Sequence, residues 1–597
     1  MYIMRTIKID TYCKFIWWIM NIKKSALTLA LASSLTLTAC GGSSSNTPEP
    51  KKEELNTAPT NITLSNMAIA ENLKTATLGN LTTVDANSND TFSYSVSDAR
   101  FVVTGSELKL AEGVELDFET EKTIEIEVTV TDSTSNKFTK AFTVEVTDTA
   151  EDTYNFDSKF ITGESSVSYS GQIARHALIA ELNHYIGSQL QADLDDGKLT
   201  DRQAILDKLN SFYNTSEEQY DNFPITFMTD TEQENIASIS GSPKNLSSKI
   251  AGNDNKAMDQ HKDWNNAGFA GWGETSSTTP EGLVNILFGQ LADNAEQVIL
   301  GSTRLDIANN EEITKIYLNA DGTDLKQLIQ KFLLMAVAYS QATDDYLDDA
   351  NENKGLKSDF SQDGTKAYSK LEHQFDEGFG YFGASREYLA YNDNELSGKA
   401  SDKDRAAWNK NHDTNGDKKF DLKSEVNFGN SVNAAKRDRG TAGNAMPTNY
   451  TKQIMEAFIA GRKILSDNAG TALTTEQFDA LIAQRDIIVD GWERAIAATV
   501  VHYINDTKAD LDKLGTDDFN FADTAKHFSE LKGFALGLQF NPHSKISDED
   551  FELFHTLIRN KPELQSENIE AYQADLIKAR DIIAKALSFN AENVENW

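Results

Sequence analysis

Between Asp148 and Tyr169 the apolar residues of this chain change period, and that change dictates two unlike modules. Thr123 to Thr131 alternates strictly, placing Ile124, Ile126, Val128 and Val130 on one face. Phe138 to Val146 repeats the pattern through Phe142, Val144 and Val146. Successive side chains of a strand point to opposite faces, so a period of two describes strands buried on one side. Asn87 to Asp90 and Asp132 to Asn136 supply turns. These runs predict a small all-β, antiparallel Greek-key sandwich over residues 58–150. From Tyr169 onward the period becomes helical: Ile173, Ala177, Ile179, Leu182 and Ile186 line one face. Leu325 to Tyr339, Ile487 to Ile504 and Ile569 to Leu587 are similar, and prolines are scarce among them. A large all-α helical-bundle domain is expected over residues 155–597.

The N-terminus reads differently from both modules. Lys23 and Lys24 precede an apolar run from Ala26 to Leu37, which ends in Leu37-Thr38-Ala39-Cys40. A charged start, a short apolar run and small residues before a cut site define a secretory signal. A spanning helix needs about 20 apolar residues, and Ser33, Ser34, Thr36 and Thr38 interrupt this run. Leu37 to Cys40 resembles the lipobox of bacterial lipoproteins. That resemblance implies lipidation of Cys40, and Gly41 in place of the inner-membrane Asp implies an outer-membrane destination, periplasmic or surface-exposed. Residues 1–40 are then an N-terminal extension and signal peptide, with Met20 as the expected start. Residues 41–57, rich in Ser, Pro and charge, form a flexible tether.

Cys13 and Cys40 are the two cysteines, so no disulfide framework is expected beyond the anchor. The net charge of −36 argues against a nucleic-acid partner and makes divalent cations plausible ligands.

Within residues 58–150 an ordered set of short motifs appears: Ile69-Ala70-Glu71-Asn72, Leu78 to Leu81, Asp85-Ala86-Asn87, Leu116-Asp117-Phe118-Glu119, Val128 to Asp132 and Val144 to Asp148. Together they resemble a cadherin domain. The resemblance implies calcium held by Glu71, Asp117, Glu119 and Asp148 at the C-terminal end of the sandwich; the other reading is acidic loop ends. Two departures stand out. Asp148-Thr149-Ala150-Glu151-Asp152 replaces the terminal Asp-x-Asn-Asp-Asn, and no second cadherin domain follows.

The sharpest motif of the helical half is Asp413 to Asp421. Oxygen side chains at Asp413, Asn415, Asp417 and Asp421 take positions 1, 3, 5 and 9 of an EF-hand-type loop, with the Lys419 carbonyl at 7. Position 6 is Lys418 in place of Gly, and the closing carboxylate is Glu425, one residue late. Calcium is the expected cofactor of this 413–425 loop, pinning a long connection between helices.

Further phrases are Tyr169 to His176, Glu372 to Gly383, Ala434 to Asp438, Trp492 to Asn505 and Lys526 to Lys532. They resemble an imelysin-like helical domain of bacterial surface lipoproteins, which implies iron uptake or peptidase chemistry. The Gly-x-His-x-x-Glu motif of imelysins is not intact: Leu371 precedes His373, and Asp376 follows it. His373 with Asp376 or Glu377, and His527 with Glu530, are one helical turn apart and would share a face. Two such pairs facing each other would hold iron or zinc; the other reading is helix packing. His176, His184 and His502 read as core or cap histidines. No His-Glu-x-x-His, Gly-x-Ser-x-Gly or phosphate loop occurs, so no catalytic residue is expected.

The expected function is a calcium-binding outer-membrane lipoprotein, non-enzymatic, that binds a protein partner or small ligand in metal or nutrient acquisition. The alternatives are an imelysin-like metal-dependent peptidase or iron-uptake component, and cadherin-type cell adhesion.

Overall fold

The computed structural model describes residues 55–597, except residues 119, 255–259, 267, 401–402, 404 and 566. Cys40 and Glu119 lie outside the described residues.

Eight strands form the first module: β1 (Asn61–Leu64), β2 (Ala68–Ala70), β3 (Thr77–Val84), β4 (Ser93–Val96), β5 (Phe101–Thr104), β6 (Glu107–Leu110), β7 (Thr123–Thr131) and β8 (Lys137–Thr147). They make two sheets, ordered β1-β3-β6-β5 and β2-β8-β7-β4. The predicted alternation is realised in the longest ladder, where Ile124 faces Val144 and Ile126 faces Phe142. Ile62, Leu108, Val128, Val130 and Val144 have no exposed surface and fill the space between the sheets. Each such side chain contributes about 1.5–3 kcal/mol relative to an exposed one.

One pairing departs from the expected antiparallel arrangement: β2 runs parallel to β8, with Ile69 opposite Val146. The first run of chain is shared between both sheets. Ser65 N–H still bonds Asn80 O at 3.0 Å, whereas Met67 O accepts from Glu145 N at 2.7 Å. The chain thus crosses from one sheet to the other within three residues and meets the last strand in the same direction. The crossing presses on β3 at Gly79, where a Cβ would lie 2.8 Å from Ser65 Oγ and 3.0 Å from Asn66 N.

The second module is helical. Its longer helices are α1 (Ser170–His184), α2 (Arg202–Tyr213), α3 (Pro280–Ile299), α4 (Leu325–Leu333), α5 (Lys370–Phe382), α6 (Gly429–Thr441), α7 (Tyr450–Asp467), α8 (Thr475–Leu511), α9 (Phe521–Gly537), α10 (Asp548–Ile558) and α11 (Ile569–Ala586). Helix α8 is the spine. Its 37 residues contain no proline, and a capping box of Thr474 with Gln477 starts it. At 1.5 Å per residue it is about 55 Å long, and α6, α7, α9 and α11 pack along it. No helix among the described residues is long and apolar enough to cross a membrane.

Leu325 to Tyr339, expected as one amphipathic helix, is α4 followed by a π-helical segment, Leu334–Tyr339. A second π segment, Ala342–Tyr346, follows directly. Every residue from Leu333 to Asp348 is buried, so this stretch has no polar face to set a helical period. Wide π turns are usual where buried polar groups must be aimed, and Ser340, Gln341, Thr343, Asp344 and Asp345 all sit in the interior.

The modules touch. Lys452 on α7 reaches the sandwich, pairing with Glu115 at 3.0 Å and donating to Asn72 Oδ1 at 2.8 Å.

Candidate functional site

The loop from Asp413 to Glu425 winds around the Asp413 carboxylate. Asp413 Oδ1 accepts from the N–H groups of Gly416 at 2.6 Å and Asp417 at 3.2 Å, and Oδ2 from Lys418 at 2.8 Å. These bonds outweigh the effect of burial and hold the Asp413 carboxyl below its usual range. Asn415 Oδ1 accepts from Asp417 N, and Asp417 Oδ1 from Lys419 N, each at 2.8 Å. Gly416 and Lys418 both have positive φ, 76° and 70°. Position 6 is where an EF-hand loop requires glycine for its sharp turn; here a lysine takes the left-handed conformation.

Glu425 does come round, as a brace. Its Oε1 accepts from Thr414 N at 2.8 Å and Thr414 Oγ1 at 2.5 Å, and its Oε2 from Asp421 N at 2.8 Å. Asp421 is steered by Gln233, whose Nε2 donates to it at 2.9 Å.

Sequence reasoning missed Glu232. A short parallel bridge pairs Thr231 with Phe420, and Asn415 Nδ2 donates to Glu232 Oε1 at 3.4 Å. Burial raises the Glu232 pKa, as do the charges of Asp421, Asp417 and Glu425. An excess of carboxylate around one loop is what a divalent cation neutralises. No three of these carboxylates have ligand atoms within 4.8 Å of one another, so a cation would draw them inward.

At the C-terminal end of the sandwich, Glu71 is almost fully buried. It accepts from Phe118 N at 2.6 Å and Thr149 N at 2.9 Å. One carboxylate therefore gathers the turn bearing Asp117 and the strand end bearing Asp148. Asp117 caps its own turn through Thr120, whose N and Oγ1 donate to it at 2.9 and 3.0 Å. Beyond this end lies a cavity of about 690 Å³ between the modules. Glu71, Glu115 and Asp117 line one wall, and Asp393, Thr451 and Lys452 the other. The helical domain closes this end of the sandwich.

Thr451 joins two carboxylates beside this cavity. Its Oγ1 donates to Asp393 Oδ1 at 3.2 Å and its N–H to Asp438 Oδ2 at 2.8 Å. Asp438 is buried, and its Oδ1 has no hydrogen-bond partner. Burial and the Asp438 charge push the Asp393 carboxyl well above the ordinary carboxylate range.

The two histidine pairs do not form a shared centre. Asp376 is fully buried and accepts from Tyr154 Oη at 2.9 Å, Ser168 N at 3.0 Å and Arg462 Nε at 2.8 Å. His373 turns to Ser168 O, 2.9 Å from its Nδ1, and lies 3.9 Å from Glu377. Glu377 in turn is gripped by the amides of Gln172 and Gln374 at 2.8 and 2.9 Å. His527 pairs with Asp510 at 2.7 Å, and Glu530 with Lys331 at 3.3 Å. The expectation that these pairs face each other is corrected: desolvation of Asp376 required partners, and packing supplied Arg462.

Among the described residues, two groups of three His, Asp or Glu bring ligand atoms within 4.8 Å: Asp348, Asp349 and His543, and Asp85, Asp90 and Asp132. The second lies at the N-terminal end of the sandwich, where Asn56 Nδ2 donates to Asp90 at 2.7 Å and Thr57 N to Asn87 Oδ1 at 3.0 Å. The Asp85-Ala86-Asn87 motif was the sequence signal for it. The first group joins residues nearly 200 positions apart and left none.

A family model described as "Domain of unknown function (DUF4856)" matches residues 151–554. No curated protein matches. Among solved structures, the chain is similar to human protocadherin-24 EC1-2, at 26% identity over 17% of this chain and 48% of that one, with a TM-score of 0.14. The chain thus spans about half the length of that structure.

Proposed function

The chain belongs to the family described as "Domain of unknown function (DUF4856)", and on that premise we propose that it is a calcium-binding, non-enzymatic binding protein of the bacterial outer membrane. Cys40 carries the lipid anchor, the cadherin-like sandwich follows the tether, and the imelysin-like helical domain presents the binding surface. The ligand is a small solute or a partner segment held in the cavity between the modules, in the service of nutrient or metal acquisition.

The observation that carries the calcium reading is the backbone of the 413–425 loop. Lys418 holds the left-handed conformation while Asp413 collects three N–H groups. In an EF-hand-type loop side chains 1, 3 and 5 share one ion, and Asp421, Glu232 and the Lys419 carbonyl would be called on to complete its shell. A cation here would tie the segment around Thr231 to the loop preceding α6.

The reading is tested by calorimetric titration of calcium into the chelator-treated chain from Asn56 to Trp597. Saturable heat and a higher melting midpoint, both lost in Asp417→Ala, support it. Absence of heat in the parent protein, or unchanged binding in Asp417→Ala, overturns the assignment to this loop.

A further inference from the structure

Helices α2 and α3 pack together, and Tyr213, the last residue of α2, sets its ring edge to face with Phe288 of α3, 6.0 Å between centroids. The loop from Leu246 to Asn253 is fastened to this junction. The Tyr213 carbonyl accepts from the N–H groups of Leu246 and Ser247, each at 3.0 Å. Ser247 Oγ donates to Asn214 Oδ1 at 2.7 Å, and Asn253 Nδ2 to the Ser247 carbonyl at 3.1 Å. Between the end of α2, this loop and the start of α3 a cleft of about 250 Å³ remains.

Its lining is polar throughout. Asn210, Asn214, Asn253 and Asn285 bring amides, and Ser247 and Ser248 bring hydroxyls. No aliphatic side chain lines it, and Glu281 is its one charged residue. The fold uses only part of this capacity. Asn210 Nδ2 is spent on the Leu206 carbonyl at 3.0 Å, which leaves its Oδ1. The bonds that fasten the loop likewise leave Asn214 Nδ2 and Asn253 Oδ1. The Ser248 hydroxyl, the Asn285 amide and the Glu281 carboxylate make no hydrogen bond among the described residues.

Tyr213 adds a second observation. It lines the cleft at 2% exposure, and its hydroxyl is sealed from solvent without a hydrogen-bond partner. Burial, with the Glu281 charge, raises the phenol above its ordinary value, so it keeps its proton to donate. An unbonded hydroxyl is unfavourable in an interior, and here it stands beside a cleft full of spare donors and acceptors.

We infer that this cleft between α2 and α3 binds an uncharged polyhydroxylated solute the size of one hexose. Each sugar hydroxyl both donates and accepts, and so do amides and hydroxyls taken together. A carboxylate such as Glu281 accepts from two neighbouring hydroxyls at once. Other classes fit poorly. An anion meets Glu281 and no cationic side chain, an apolar solute leaves the amides unpaired, and calcium calls for six to eight oxygens with more than one carboxylate among them. At about 30 Å³ for each water displaced, the cleft has the room of about eight waters, enough for one sugar ring and not for a chain. It shares no residue with the calcium loop or with the cavity between the modules, and it depends on neither.

The test is ligand-observed saturation-transfer NMR on the full chain with D-glucose, D-galactose and D-mannose in turn, each at millimolar concentration. Melting midpoints are a poor readout for binding here, because concentrated sugars stabilise most proteins by exclusion from their surface. Saturable transfer to at least one hexose is expected. Tyr213→Phe keeps the ring packing and removes the hydroxyl, and should weaken the affinity about tenfold at an unchanged melting midpoint. Asn285→Ala, at an exposed position, keeps the fold testable and should weaken it about threefold. The proposal is overturned if none of the three hexoses receives saturation, or if both variants bind as the parent does. Transfer to methylammonium but to no hexose would also overturn it, by making Glu281 an ammonium site.

Discussion

Arg462 Nε lies 2.8 Å from Asp376 Oδ1, and neither side chain has any exposed surface. The same guanidinium meets Glu372 at 2.9 Å one turn earlier on α5, and Tyr154 completes the Asp376 shell. Two carboxylates are thus satisfied by one arginine from α7. Removing that arginine leaves both buried and unpaired, so Arg462→Leu is expected to lower stability by about 3–5 kcal/mol. His373→Ala removes a single bond to a carbonyl and should lower it by about 1 kcal/mol. Urea denaturation of the two variants decides; equal losses would return His373 to a central role.

Lys418 has φ of 70°, a conformation that L residues other than Asn and Asp rarely adopt. Lys418→Gly should be tolerated without loss of stability and should tighten calcium, because relief of strain offsets the added freedom of the unfolded chain. Lys418→Val should cost about 1–3 kcal/mol and weaken calcium. Melting midpoints with and without calcium separate the two effects. A valine variant that binds calcium as the parent does would show that the turn is not required.

What the sequence revealed divides along a physical line. The sandwich and the helical domain were legible because periods of two and 3.6 are local properties of the chain. The turn bonds of the 413–425 loop are local too, with Asp413, Asn415 and Asp417 each accepting from N–H groups two to five residues on. Glu232 was not legible, since a bridge between Thr231 and Phe420 is created by the fold. The parallel pairing of β2 with β8 was hidden because alternation carries no strand direction. The π segments were hidden because a stretch buried on all sides has no period. His373 and Asp376 share a helix, as their spacing implied, but their side chains turn to different partners, Ser168 and Arg462.

Gly79 fixes the crossover between sheets. A methyl group there would meet Ser65 Oγ at 2.8 Å and the Asn66 backbone at 3.0 Å. The second of these is main chain and cannot swing aside. Gly79→Ala is expected to destabilise the sandwich by about 1–3 kcal/mol, and Gly79→Val by more. Hydrogen exchange should report the loss first at β1 and β2. An alanine variant with unchanged exchange there would show that the crossing has room to move.

Glu493 supplies the clearest pH dependence. It sits on α8 with 1% exposure, accepts a hydrogen bond from Ser544, and is raised by burial from 4.5 to about 7. A carboxyl raised in the folded state keeps its proton there after the unfolded chain has lost its own. Its contribution is therefore fully present below pH 4.5 and declines as pH rises to about 7. The decline is on the order of 3 kcal/mol for a shift of this size. Glu493→Gln keeps the shape of the protonated acid and cannot ionise. Denaturation curves for parent and variant, measured between pH 5 and 8, should converge at the acidic end. They should part at the alkaline end, with the variant more stable. Parallel curves across that range would place the ionised carboxylate in a solvated setting and remove the argument.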